Sequence, residues 1–234
     1  MKFIKYESRL EAGKILANLI QKENQELWDS VLKNPKNFFC FAIPNGGIPV
    51  AEGFCSILKI KYDFLIVRKI KIPWNTEAGF GSITTDGTLL INQPLYDQLK
   101  LTNEQLNNSI EITKNEIKER LKLYNKEDIK DKNYFKNINR KSIFMIDDGL
   151  ASGFTMLAAI KMVKNYDPNQ IFISVPTAPI STVNRIKDKV DYIFCPNTRD
   201  VWRFAVAEAY KSWYDVPESE VIDIINVSKY YLKM

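Results

Sequence analysis

The chain has 234 residues, 45% of them hydrophobic and 26% charged, and a net charge of +5; this is the composition of a globular protein with one sizeable core. So modest a positive charge selects neither nucleic acid nor small phosphorylated anions. The absence of histidine excludes Ser-His-Asp and Cys-His catalysis and every histidine-bearing zinc site, so acid–base work falls to carboxylates, Lys, Tyr, water or a substrate.

In chain order, "MKFIKYESRLEAG" has no uninterrupted apolar core like that of a signal peptide, and no later apolar run reaches transmembrane length, so a cytoplasmic protein is expected. Ser8 with Glu11 forms a capping-box pattern, which predicts a helix carrying Leu10, Ile15, Leu16, Leu19 and Ile20 on its apolar face. "FFCFAI" (38–43) reads as a buried strand, "PNGG" breaks it, and "IPVAEGFCSIL" resumes as a helix. "YDFLIV" (62–67) is a second strand. Residues 68–92 form an irregular or β-rich stretch, and 100–141 contain an inserted helix with Leu106, Ile110, Ile117 and Leu121 on one face. That face needs cover, either from the chain's own hood or from a second subunit. The strands "SIFMID" (142–147), "QIFISV" (170–175) and "VDYIFC" (190–195) follow, with a helix near 153–165. Strands alternating with helices imply an α/β parallel sheet with helices on both faces. Cys40, Cys55 and Cys195 lie far apart without a CxxC pair, so a disulfide scaffold is not expected. "GFGSIT" is superficially like a dinucleotide fingerprint, but it opens no helix after a strand, and no GxxxxGK[ST] is present.

"IFMIDDGLASGFTM" (143–156) carries the functional signal. A strand ends on Asp147 and Asp148, and the small loop Ala151, Ser152, Gly153, Phe154 and Thr155 leads into a helix. Ligands of parallel α/β sheets bind at such strand ends, and a helix N-terminus with free N–H groups accepts a phosphate. Gly153 lets the backbone come close, while Ser152 and Thr155 add hydroxyl donors. The two aspartates would repel that phosphate, so they must face another part of the ligand, such as hydroxyls or a metal cation. A phosphate beside a diol describes a ribose 5-phosphate.

The run of apolar residues, Asp147-Asp148, three residues, Ser152-Gly153, one residue and Thr155 resembles the binding motif for 5-phosphoribosyl 1-pyrophosphate (PRPP) in type I phosphoribosyltransferases. "AIPNGGIPVAEGF" (42–54) is similar to the pyrophosphate loop of the same family, with Asn45, Gly46 and Gly47 at the diphosphate and a cis peptide expected at Pro44–Asn45. Relatives commonly carry Arg or Lys where this chain has Asn45, so one cation near the pyrophosphate is missing. Arg68 and Lys69 match a basic position after the second strand. The resemblance covers most of the chain and is closest to stand-alone phosphoribosyltransferases of unassigned acceptor. It implies one domain over 1–234, with an insertion at about 93–141 and hood elements at about 68–92 and 196–234.

The implied reaction transfers ribose 5-phosphate from PRPP to a nucleobase-like nitrogen and releases pyrophosphate. Asp147 and Asp148 would hold the ribose hydroxyls and stabilise the positive charge that develops on the ring. Mg2+ would be bound mainly through substrate and water, with direct ligation by the two aspartates as the lesser arrangement. Enzymes for hypoxanthine and guanine carry an acid where this chain has Ala151, which weakens that assignment. Trp202 and Phe204 are candidates to stack on the base, from a group that includes Tyr210, Trp213 and Tyr214. The resemblance also implies a homodimer; the apolar runs lead to no expected membrane partner, and the net charge and Lys-rich insert to no primary nucleic-acid role. Two alternatives remain open: a non-catalytic PRPP- or nucleotide-binding regulator, and a phosphoribosyl hydrolase.

Overall fold

The computed structural model describes residues 3–127 and 131–233. Ser8 caps helix α1 (Arg9–Glu23) by accepting from the Glu11 N–H at 3.1 Å, while the Glu11 carboxylate takes the N–H of Glu7 instead of closing the capping box on Ser8. Helix α2 (Gln25–Lys33) follows. Strand β1 (Phe38–Ala42), helix α3 (Gly47–Leu58) and strand β2 (Lys61–Phe64) form the first β–α–β unit. Next come β3 (Val67–Ile72), β4 (Asn75–Thr84), β5 (Leu89–Ile91), α4 (Gln93–Leu99), α5 (Asn103–Leu123) and α6 (Asp131–Ile138). The unit then resumes with β6 (Ser142–Ile146), α7 (Phe154–Lys164), β7 (Gln170–Ser174), β8 (Thr177–Pro179), α8 (Ile180–Ile186), β9 (Tyr192–Phe194) and β10 (Asn197–Arg199). Helix α9 (Glu218–Val227) ends the series.

The five expected strands form one parallel sheet in the order β2-β1-β6-β7-β9. Their residues are apolar on both faces because both faces are covered. In β1 and β6, Cys40, Ala42, Phe144 and Ile146 pack to one side with α1 and α3, through Leu16, Ile20, Val50 and Phe54. Phe39, Phe41, Ile143 and Met145 pack to the other side with α6 and α7, through Ile138, Met156, Ile160 and Val163. The chain runs outward from β1 to β2, then returns past β1 to begin β6. The winding therefore reverses between β1 and β6, and their carboxyl ends flank the crevice where a ligand belongs.

Residues 68–92 are regular: β3, β4 and β5 make an antiparallel sheet, with register shifts at Ile70/Lys71 and Lys71/Ile72. The alternating burial of Ile70 and Ile72 along β3 follows the strand period of two. The inserted helix is two helices, α5 and α6. Ile117 and Leu121 of α5 are buried in the same core as Ile70, Ile72, Phe80 and Ile83, with Leu106 and Ile110 packed against it. The face that needed cover is thus covered by the chain's own hood sheet and supplies no reason for a dimer. Leu10 is also placed differently from the sequence reading: it is 41% exposed, at the open end of α1.

The C-terminal segment ties the unit together. Its backbone pairs with the edge strand β2 through Tyr62 N to Tyr230 O (3.0 Å) and Leu232 N to Tyr62 O (2.8 Å). It also pairs with the N-terminal segment through Tyr6 N to Ala209 O (2.8 Å) and Lys211 N to Tyr6 O (2.9 Å). Beneath it lies a buried ion pair: Lys126 Nζ is 3.0 Å from Asp63 Oδ2, donates to Leu232 O at 3.0 Å, and sits 4.8 Å from the Tyr231 ring centroid.

Candidate functional site at the winding reversal

Two loops meet at the reversal, one from the end of β1 and one from the end of β6. After β1, Ile43 still pairs with the neighbouring strand through its N–H to Ile146 O (2.8 Å), and the Pro44–Asn45 bond is cis. Helix α3 then opens at Gly47. The Gly47 N–H is committed inside the loop, to Ile43 O at 3.0 Å. Gly46 lies against the second aspartate: a Cβ at this position would be 2.0 Å from Asp148 Oδ2, so glycine is what lets the loop approach the carboxylate.

Asp147 and Asp148 stand at the carboxyl end of β6, as the strand-end reading requires. The Asp148 N–H donates to Asp147 Oδ1 at 2.8 Å, which orients the first carboxylate. Asp148 Oδ2 accepts from Arg9 Nε at 2.9 Å, and the Tyr210 hydroxyl donates to the Asp148 carbonyl at 2.8 Å. Arg9 is only 5% exposed, and its guanidinium carbon lies 4.2 Å from the Trp213 ring centroid and 5.3 Å from those of Tyr210 and Tyr214. This aromatic bed desolvates the cation and fixes it toward the carboxylate. Burial and the charge of Asp148 push the Asp147 carboxyl well above the usual carboxylate range. Burial raises Asp148 as well, against the pull of Arg9.

The phosphate-loop candidates are open to a ligand. Ala151, Ser152 and Thr155 are exposed at the start of α7, and Gly153 takes the left-handed region with φ +72 to turn the chain into the helix. The Phe154 N–H reaches Ser152 Oγ at 3.4 Å. Helix α8 braces the loop from behind: Thr182 Oγ1 donates to Ala151 O at 2.6 Å and Arg185 Nη1 to Ser152 O at 2.9 Å. An anion at this helix end would meet free N–H groups, two hydroxyls and a nearby guanidinium.

The two basic residues of β3 part company because neighbouring side chains on a strand face opposite ways. Arg68 turns toward α5, where its Nε is buried without a hydrogen-bond partner and lies 3.7 Å from Glu116 Oε2. Lys69 is exposed and donates to the Glu77 carbonyl. Trp202 is 97% exposed, and Phe204 is half-buried with its ring 5.9 Å from the Arg199 guanidinium. Their segment runs beside the phosphate loop, since Val206 of the same stretch packs against Gly149. The aromatic rings that reach the Asp148 region are Tyr210, Trp213 and Tyr214.

Arg9, Thr182 and Arg185 escaped sequence reading. Arg9 left one local trace: it is a cation in the first turn of a helix, where the dipole disfavours positive charge. No group of three or more acidic or cysteine side chains fit to hold a metal ion exists among the described residues. With Asp148 already paired to Arg9, the oxygen donors left here suit a hard cation carried in by a ligand better than one held by the protein alone.

Comparison with known proteins bears on this arrangement. Residues 6–213 match the sequence profile of the phosphoribosyl transferase domain. A protein found in two strains of Mycobacterium tuberculosis (CDC 1551 / Oshkosh and ATCC 25618 / H37Rv), named "Putative phosphoribosyl transferase", is 25% identical over 184 residues. That match takes in 79% of this chain and spans 40% of the length of those curated relatives. The crystal structure of TT1426 from Thermus thermophilus shares the fold, with a TM-score of 0.68 at 21% identity over 94% of this chain and 97% of that one.

Proposed function

The chain belongs to the phosphoribosyl transferase domain family, and from that premise we propose that it moves ribose 5-phosphate from PRPP to a nucleobase-like nitrogen, releasing pyrophosphate. The observation that carries this reading is the meeting, at one winding reversal, of an acid pair with an open helix N-terminus bearing two hydroxyls. The acids face the sugar and the helix end faces its phosphate, which orients C1 toward the loop at Asn45–Gly47. There the C1–O bond to diphosphate breaks as the C1–N bond forms. Asp147 and Asp148 offset the charge on the ribose ring in between. Ala151, Ser152, Gly153, Phe154 and Thr155 position the 5-phosphate, and Asn45, Gly46, Gly47 and Arg68 border the leaving group. Trp202 and Phe204 stay as candidates for the base. Mg2+ would neutralise the diphosphate, with Asp147 and Asp148 the nearby carboxylates to meet it through water. A homodimer and a cytoplasmic location belong to the same proposal. Among the described residues no helix is long and apolar enough to cross a membrane.

Ser152→Ala with Thr155→Ala tests the phosphate assignment, because both side chains are exposed and removing them disturbs no core packing. The double variant should bind PRPP or a nucleoside monophosphate about 1–3 kcal/mol more weakly by calorimetry, the range for lost hydrogen bonds to a charged group. Unchanged affinity in the folded variant would remove the assignment.

A further inference from the structure

Asn45 stands uncharged in a loop that must face a leaving group of several negative charges, yet the position is not empty of cations. Asn45 Oδ1 accepts from Arg120 Nη1 at 2.8 Å and from the Tyr124 hydroxyl at 3.1 Å, while its Nδ2 donates to Val216 O at 2.8 Å. The amide therefore acts as a bracket: one end is anchored on the backbone and the other holds a guanidinium that α5 delivers from 75 residues away. An Arg or Lys at position 45 would have no acceptor for Arg120 and would repel it.

Arg120 does not stand alone. Burial, and after it the charge of nearby Arg120, lowers the pKa of Arg68 from the ordinary arginine value. Its buried Nε has no hydrogen-bond partner, and at 3.7 Å Glu116 is beyond hydrogen-bond reach of it. Glu116 and Glu218 offset part of the repulsion between the two guanidinium groups, yet one of the pair keeps an unused donor, so a further anion between them is favoured. Both border an open cleft with Ile112, Asn115, Glu116, Glu119 and Leu123, so a ligand can reach them from solvent. Arginine forks match phosphate oxygens in pairs, which a lysine point charge cannot do.

Glu218 completes the picture. Its carboxylate lies 2.6 Å from Arg120 Nη2, while its side chain is 41% exposed at the first residue of α9. It occupies one face of the fork, and its exposure leaves it free to swing into solvent.

We propose that Arg120, bracketed by Asn45 and paired with Arg68, is the diphosphate-gripping cation of this site, and that Glu218 is the carboxylate an incoming diphosphate displaces. This rests on the PRPP reading above and names a residue for its leaving-group end.

The test compares PRPP with ribose 5-phosphate, which has no diphosphate, in calorimetric titrations with magnesium present. Arg120→Ala should weaken PRPP about tenfold or more while ribose 5-phosphate stays within about twofold of wild type, because only PRPP reaches the fork. Glu218→Gln should tighten PRPP severalfold, a gain that misfolding cannot produce. Moving the charge back to the loop, Asn45→Arg with Arg120→Ala, should recover PRPP affinity relative to Arg120→Ala alone. Equal weakening of both ligands by Arg120→Ala, or none of either, would overturn the assignment of Arg120 and leave the PRPP reading standing. Unchanged PRPP affinity in Glu218→Gln would overturn the displacement. Failure of the wild type to bind PRPP at all would remove the PRPP reading and this inference with it.

Discussion

Asp148→Asn should lower the turnover of phosphoribosyl transfer about a hundredfold or more, the scale of losing one preorganised electrostatic group, while changing nucleotide-product binding much less. The asparagine keeps the shape and can still accept from Arg9, so what it removes is the negative charge beside the reacting sugar. A second readout accompanies the first. The charge of Asp148 is one of the causes that raise Asp147, after burial itself. Without it, Asp147 should ionise at lower pH, and the acid limb of the remaining pH–rate profile should move down the pH scale. Arg9 is almost wholly buried and loses its counter-charge in this variant, so thermal unfolding should also fall. Combining Asp148→Asn with Arg9→Met separates the effects: stability should return in part and turnover should not. Wild-type turnover in a folded Asp148→Asn protein would remove the aspartate from the chemistry.

Lys126→Met should destabilise the fold by about 3–5 kcal/mol near neutral pH, the range for stranding one member of a buried ion pair. Both partners are 3% exposed by side-chain area, and the ammonium also satisfies the carbonyl of Leu232, whose N–H pins the C-terminal segment to β2. Burial raises the Asp63 pKa, and Lys126 is the main cause acting against it. Removing Lys126 leaves burial opposed mainly by the Phe64 N–H, which donates to Asp63 Oδ1 at 2.8 Å, so the carboxyl moves further up. A carboxyl whose folded pKa lies above its unfolded value binds protons preferentially in the folded state, and its contribution to stability falls as pH rises between the two. The deficit of Lys126→Met should therefore be largest at neutral and alkaline pH and shrink as the medium is acidified. Urea unfolding at several pH values measures it. Asp63→Asn with Lys126→Met should recover much of the loss. A deficit that is the same at all pH values would show that the lysine acts through packing against Tyr231 and Phe64 and not through its charge.

The sequence was most informative where structure is local. Strands buried on both faces appear as short apolar runs, so Phe38–Ala42, Ser142–Ile146 and Gln170–Ser174 were legible, with ends accurate to about a residue. The acid pair and small loop were legible because strand end, turn and helix start follow one another within a dozen residues. The hood was harder. Its sheet carries glycines and register shifts in β4, and its basic residues mask the alternation of Ile70 and Ile72. Long-range partners left little mark. Arg9 meets Asp148 across 139 residues and Arg120 meets Asn45 across 75, and nothing in the charge pattern of α5 separates Arg120 from its solvated Lys and Glu neighbours. Asn45 read as a missing charge, whereas in the fold it is the acceptor that seats one. The apolar face of α5 could not reveal its own cover, because the β3–β4 sheet that supplies it lies earlier in the chain and read only as an irregular or β-rich stretch.

Pyrophosphate release from PRPP and magnesium, followed across a panel of purine and pyrimidine bases and matched against nucleotide product, tests the account most directly. At least one base should raise release above the no-base background, with one nucleoside 5′-monophosphate formed for each pyrophosphate. Release that no base accelerates would contradict transfer: with free ribose 5-phosphate as product it would mark a hydrolase, and with no turnover despite tight PRPP binding it would mark a regulator.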